Sequence, residues 1–178
     1  MPRLTQRLGL TRYDADANYK KGLVAYEKRN LDEALINLSD AIEALPNNAE
    51  YYAARGYMYL EDGIEDKAEA DFAQALKLYP YEMLAHYGRG VIAFREQRWV
   101  DALAHFTKAY HADPKRAETL YYLALVLHRQ ADYAQALDIM KQAQTALEAA
   151  NDRRKNDAAK WVRVLEKVAN APRLRDGK

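Results

Sequence analysis

Gly22, Gly56 and Gly90 stand 34 residues apart, and Ala124 takes the next place in the same register. The same interval links Ala34, Ala68, Ala102 and Ala136, and again Ala41, Ala75, Ala109 and Ala143. Leu38, Phe72, Phe106 and Met140 form a bulky apolar column; Pro46, Pro80 and Pro114 form another, which Glu148 fails to continue. A fixed period of this length constrains a fold more than any local motif. One such unit cannot bury its apolar face alone and must stack on its neighbours. The period also explains Gly56. It lies inside YYAARGYMYLEDG, a stretch suited to a helix with a buried stripe. Glycine there costs about 0.5–1 kcal/mol against alanine. Small residues recurring at one register mark a place where two backbones approach closely. A larger side chain would force them apart at a typical cost of about 1–3 kcal/mol.

These columns resemble the tetratricopeptide repeat family, whose pattern has small residues at repeat positions 8, 20 and 27, a bulky residue at 24 and proline at 32. The resemblance covers about three quarters of the chain and assigns repeats to 15–48, 49–82, 83–116 and 117–150, after a tail at 1–14 and before a capping helix and basic tail at 151–178. It implies an all-α fold, a superhelical array of antiparallel helix pairs with a C-terminal cap. The prolines end the second helix of each pair. Asn47-Asn48, Glu61-Asp62-Gly63 and Asp113 supply turn chemistry. Repeat 4 lacks the proline, so its second helix is expected to run on towards Asn151. In the cap, Ala158, Trp161, Leu165 and Val168 fall on one helical face, with Lys160, Arg163, Glu166 and Lys167 turned away.

The chain departs from the pattern in places. The usual aromatic before the second helix is Leu31, Glu65, Trp99 and Tyr133, and Glu65 suggests an irregular turn. Another usual aromatic is Asn18 in repeat 1, and the usual leucine is Lys21, Arg55 and Arg89 in the first three repeats. The long stems of these cations can pack while their heads reach water.

The resemblance implies a concave groove lined by the first helix of each repeat. The groove positions are Asp16, Tyr19, Leu23 and Tyr26; Glu50, Ala53, Tyr57 and Leu60; Leu84, Tyr87, Val91 and Phe94; and Glu118, Tyr121, Leu125 and His128. The candidate ligand-binding residues are Tyr19, Leu23, Tyr26, Tyr57, Leu60, Tyr87, Val91, Phe94, Tyr121 and His128. Such an apolar, tyrosine-rich set suits an interaction site. Packing of neighbouring first helices over one another would make some of them core instead. Asp16, Glu50 and Glu118 would rim the groove, with Arg95 and Arg129 nearby. Tyr52 and Tyr59 are expected between helices, and Tyr51 is open to either reading. Some family members hold an acidic C-terminus through a clamp of lysine, asparagine and arginine. The matching positions here are Tyr19, Leu23, Ala54, Leu84 and Gly88, so that adaptor role is not expected.

No cysteine is present, which excludes disulfides, thiolate metal sites and a cysteine nucleophile. His86, His105, His111 and His128 form no metal spacing, His86 falls at a packing position, and no phosphate-binding glycine loop occurs. No catalytic residue, cofactor or metal is expected. No apolar run reaches the roughly 20 residues a membrane span needs. The start has no apolar core of a secretory signal, although Arg3, Arg7 and Arg12 leave an organellar leader open. Residues 1–14 carry a net +2 and residues 151–178 a net +5, leaving −6 on the body between, which is no nucleic-acid footprint. The expected function is a cytoplasmic, non-catalytic interaction scaffold for a protein or peptide. The alternatives are a self-assembling homo-oligomer, with Leu4, Leu8 and Leu10 of one copy in the groove of the next, or a small secretion-type chaperone.

Overall fold

The computed structural model describes residues 10–170. Leu4, Leu8 and the basic residues after Asn170 lie outside the described residues. Nine helices occupy the described chain: α1 (Leu10–Glu27), α2 (Leu31–Ala44), α3 (Ala49–Glu61), α4 (Glu65–Leu78), α5 (Met83–Arg95), α6 (Trp99–Ala112), α7 (Ala117–Arg129), α8 (Tyr133–Ala149) and α9 (Lys155–Ala169). The first helix begins at Leu10, five residues before the expected start of repeat 1. Two compact units divide the chain, residues 1–92 and 93–178.

The turn within each pair repeats as faithfully as the core. Arg29, Gly63, Gln97 and Ala131, again 34 apart, all have φ between 60° and 78°. The next backbone N–H reaches back five residues each time: Asn30 to Ala25, Ile64 to Tyr59, Arg98 to Ala93 and Asp132 to Leu127. This is the Schellman ending of a helix, which favours glycine at the left-handed residue. Only Gly63 supplies one. The turn before Glu65 is therefore regular, contrary to expectation, because its geometry is set two residues earlier. Asn30 and Asp132 then cap α2 and α8 by accepting from the N–H groups of Glu33 and Gln135. The second helices close with equivalent bonds, Leu45 to Ala41, Tyr79 to Ala75 and Asp113 to Ala109, each just before its proline. Repeat 4, without one, extends α8 to 17 residues against 14 in α2, α4 and α6.

In the first unit, α1 packs on α2, α2 on α3, and α3 on α4. Leu38, Phe72 and the alanines of the two recurring columns are fully buried. Phe72 fits its ring between two glycines. A Cβ on Gly56 would stand 2.9 Å from Cδ1 and Cε1 of Phe72, and a Cβ on Gly88 only 2.1 Å from its Cζ. Arg55 departs from the expected snorkelling. Its guanidinium makes two 2.8 Å bonds to the carboxylate of Asp71, which is 6% exposed, and donates to the Ser39 hydroxyl at 3.1 Å. Tyr52 and Tyr59 flank it, each ring 5.9 Å away. The head stays inside because a buried carboxylate needs a paired cation. Arg89 does reach the surface, where it meets Glu69 at 2.6 Å.

In the second unit, α6 packs on α7, α7 on α8, and α8 on α9. Phe106 stacks on Tyr122 at 5.5 Å, and Phe94 meets Tyr122 and Trp99 edge-on at 5.3 and 5.4 Å. The inward face of the cap is rotated slightly from the one expected. Ala158, Val162 and Leu165 are buried, Trp161 is half-buried, and Val168 is exposed. The buried stripe is centred between Ala158 and Leu165, which places Val162 inside and carries Val168 past the edge. Glu166, expected to face away, pairs with Lys141 of α8 at 3.0 Å.

Candidate functional site

Three tyrosines from three successive first helices meet in a row in the first unit. The Tyr26 ring of α1 lies 6.0 Å from Tyr57 of α3, and Tyr57 lies 6.3 Å from Tyr87 of α5. They do not share a register. Tyr57 aligns with Leu23, and Tyr87 with Ala53, so the row climbs about one helical turn per repeat. Tyr19, Leu23, Tyr26 and Tyr57 are half-buried and pack on Ala25, Ala34, Leu38, Ala54 and Met58. Leu60, Tyr87 and Val91 are 2%, 5% and 5% exposed. Tyr19, Leu23, Tyr26 and Tyr57 therefore keep part of their surface open, while Leu60, Tyr87 and Val91, expected to line the groove, are buried.

Carboxylates border the tyrosines. Tyr19 stacks on Tyr51 at 5.0 Å and donates its hydroxyl to Glu50 Oε1 at 2.8 Å. Tyr51, 1% exposed, donates to Asp16. Burial is the main cause that raises the Tyr19 hydroxyl pKa, followed by the bond to Glu50, with Glu82 adding to it. Burial and then Asp16 push Tyr51 up to about 12. Tyr57 is raised by burial and then by the Glu61 charge. These phenols hold their protons at neutral pH and serve as donors. Glu82 is raised by burial, against a bond from the Leu84 N–H and with Glu50 adding like charge. Sequence spacing did not single out Glu82, because it falls in the turn before α5. Nor did it fix Tyr51, whose column otherwise holds Ala17, Ala85 and Thr119.

The remaining candidates belong to the second unit. Phe94 is half-buried in the cluster with Trp99 and Tyr122. His128 lies 5.1 Å from the Trp161 ring and 5.6 Å from Tyr133, and its buried Nδ1 has no hydrogen-bond partner among the described residues. Burial, and then the charge of Arg129, lowers its pKa. Tyr121 is half-buried; burial and then the Asp157 charge raise its pKa, with Trp161 acting against them. The cap thus reaches two of the expected groove residues through Trp161. Glu118 pairs with Arg154 at 3.1 Å, and Arg129 lies over the Trp99 ring at 5.3 Å. In the first unit, His86 is buried and Nε2–H donates to the Pro80 carbonyl at 3.0 Å, the only role that a carbonyl oxygen permits. Among the described residues no group of three His, Asp or Glu side chains is placed to hold a metal ion. No helix there is long and apolar enough to cross a membrane.

Known proteins agree with this architecture. The protein SGT1 homolog of Homo sapiens is 32% identical over 80 residues, 45% of this chain and 22% of that protein. The probable biofilm formation methyltransferase WspC of Pseudomonas putida is 30% identical over 84 residues, 47% of this chain and 20% of that protein. The chain thus spans about a fifth of the length of these curated relatives. Among solved structures, the first tetratricopeptide repeat domain of Spaghetti (RPAP3) bound to the HSP90 peptide SRMEEVD superposes with a TM-score of 0.62 at 22% identity, covering 67% of this chain and 97% of that one. The tetratricopeptide repeat family profile matches residues 19–82, 66–117 and 101–153. With that match across the recurring columns, the chain belongs to the tetratricopeptide repeat family, a family of protein-interaction scaffolds.

Proposed function

We propose that the chain is a non-catalytic interaction scaffold whose first unit holds a peptide or helix of another protein against the tyrosine face of α1, α3 and α5. The observation that carries this reading is the half-exposed row Tyr26–Tyr57 over buried Tyr87, with Tyr19 and Leu23 beside it. Tyrosine brings large contact area, few rotors and a polar tip, which is why it recurs as an anchor in interfaces. Buried neighbours fix the rings in advance, so little rotamer freedom is left to lose on binding. The solved Spaghetti domain carries a short peptide, which supports a peptide-sized ligand here. It does not support the same peptide. The clamp positions of this chain hold Tyr19, Leu23, Ala54, Leu84 and Gly88, and Glu50, Glu82 and, through Tyr51, Asp16 gather around Tyr19.

The test is a paired pull-down read by mass spectrometry, with the wild-type chain and a Tyr26→Ala/Tyr57→Ala variant of matched helicity. A partner retained by the wild type and lost from the variant supports the face. Identical partners on both baits refute it. A Tyr26→Gln/Tyr57→Gln pair, which preserves more bulk, replaces the alanine variant if that one unfolds.

A further inference from the structure

Residues 10–92 hold nine Lys/Arg against fifteen Asp/Glu. Several of these acids gather where the tyrosines are. Glu50 accepts from Tyr19, Asp16 accepts from Tyr51, and Glu82, itself raised in part by the charge of Glu50, acts on Tyr19. Glu61 acts on Tyr57, the middle ring of the row. Two other acids of the unit are held by arginines: Asp71 by Arg55 and Glu69 by Arg89. Asp16, Glu50, Glu61 and Glu82 have no ion-pair partner among the described residues. Two of them, Asp16 and Glu82, are half-buried, where an unpaired charge is costly to hold. The aromatic faces add to the same preference, since the quadrupole of a ring attracts a cation placed over it.

Resting on the proposed role of this face, we infer that its ligand is a basic peptide segment, with apolar side chains on Tyr26 and Tyr57 and lysine or arginine side chains directed to Glu50, Glu82, Asp16 and Glu61. Glu50 and Glu61 are exposed and meet the incoming charge first, and the half-buried pair Asp16 and Glu82 gains the cation that the chain itself does not supply. Complementary charge of this kind selects partners and speeds encounter. An acidic segment would add further like charge beside Glu50 and Glu82 and is excluded.

The experiment uses fluorescence anisotropy with the full chain and three labelled twelve-residue peptides. They share leucine positions and differ only in carrying lysine and arginine, glutamine, or glutamate between them. The basic peptide should bind at least about tenfold more tightly than the glutamine peptide and weaken severalfold from low to moderate salt, as screened charges do. The Glu50→Gln/Glu82→Gln variant should lose most of that difference and bind the glutamine peptide as the wild type does. Glutamine still accepts the Tyr19 hydrogen bond, so the ring stays in place. Tyr57→Ala should weaken the basic and glutamine peptides alike. Equal affinity for the basic and glutamine peptides, with no effect of the double variant, overturns charge selection but leaves the tyrosine face standing. Tighter binding of the glutamate peptide overturns it as well. Basic-peptide binding that ignores Tyr57→Ala overturns both readings, and no binding at about 1 mM, an affinity of only about 4 kcal/mol, overturns the basic ligand.

Discussion

Alanine at position 88 should damage this fold more than alanine at position 56, although both glycines lie in first helices of the repeat. Ordinary contacts of a Cβ begin near 3.4 Å; the Gly88 position allows 2.1 Å to Phe72 Cζ and 2.3 Å to Cε2, whereas Gly56 allows 2.9 Å to Phe72 and 3.1 Å to Asp71 Cβ. Phe72 is fully buried and held by both glycines, so its ring cannot retreat from one without meeting the other. Overpacking usually costs about 1–3 kcal/mol, with severe overlap at or beyond the upper end. Alanine returns about 1 kcal/mol of helix propensity. Gly88→Ala should therefore cost about 2–3 kcal/mol net and Gly56→Ala about 0.5–1 kcal/mol. For a chain of this size the former lowers Tm by roughly 4–12 °C. The decisive assay is a double-mutant cycle with Phe72→Leu, read by thermal and urea unfolding. Leucine removes Cε1, Cε2 and Cζ, the three atoms nearest the Gly88 Cβ, but keeps an equivalent of Cδ1 facing Gly56. Phe72→Leu should rescue Gly88→Ala almost fully and Gly56→Ala only in part. Equal costs for the two glycines, or a coupling under about 0.5 kcal/mol between positions 72 and 88, would refute the packing argument.

Other consequences follow from particular residues. Arg55→Leu leaves Asp71 buried without its cation and should cost about 2–4 kcal/mol in urea unfolding, while adding Asp71→Leu should recover most of the loss. Gln97→Gly and Ala131→Gly relieve the left-handed backbone of two turns and should each raise stability by about 0.5–1 kcal/mol, whereas Gly63→Ala should lower it. His128 is kept neutral by burial and Arg129, so its folded pKa lies below the unfolded value. The unfolded state then binds the extra proton first, and stability should fall as pH drops below about 6.5. In a Trp99→Phe background the Trp161 fluorescence melt should show this loss between pH 7.5 and 5.5, and His128→Gln should abolish it.

The sequence carried the repeat and its core because both rest on residue size at a fixed interval. Each member of the alanine columns, with Leu38, Phe72, Phe106 and Met140, is completely buried. What one chain could not reveal depends on contacts between columns. Gly88 stands outside the small-residue register, and only the position of the Phe72 ring shows why it must be small. The left-handed turn residue was hidden because three of its four occupants are not glycine. Arg55 looked like a surface cation because its partner, Asp71, is 16 residues away on the next helix. Spacing placed Tyr26, Tyr57 and Tyr87 on first helices, but the diagonal row joins different registers, and column reading does not join them. The face of α9 was misjudged by a fraction of a turn, since Trp161 and Val162 compete for the inward place and only packing on α8 decides.

The most direct measurement is site-specific photo-crosslinking with a benzophenone amino acid placed either at Tyr57 or at Ile36, an exposed residue of α2, a second helix. A discrete adduct with a partner protein is expected from Tyr57 and none from Ile36. Adducts from Ile36 with none from Tyr57 would place the interaction on the second helices and contradict it.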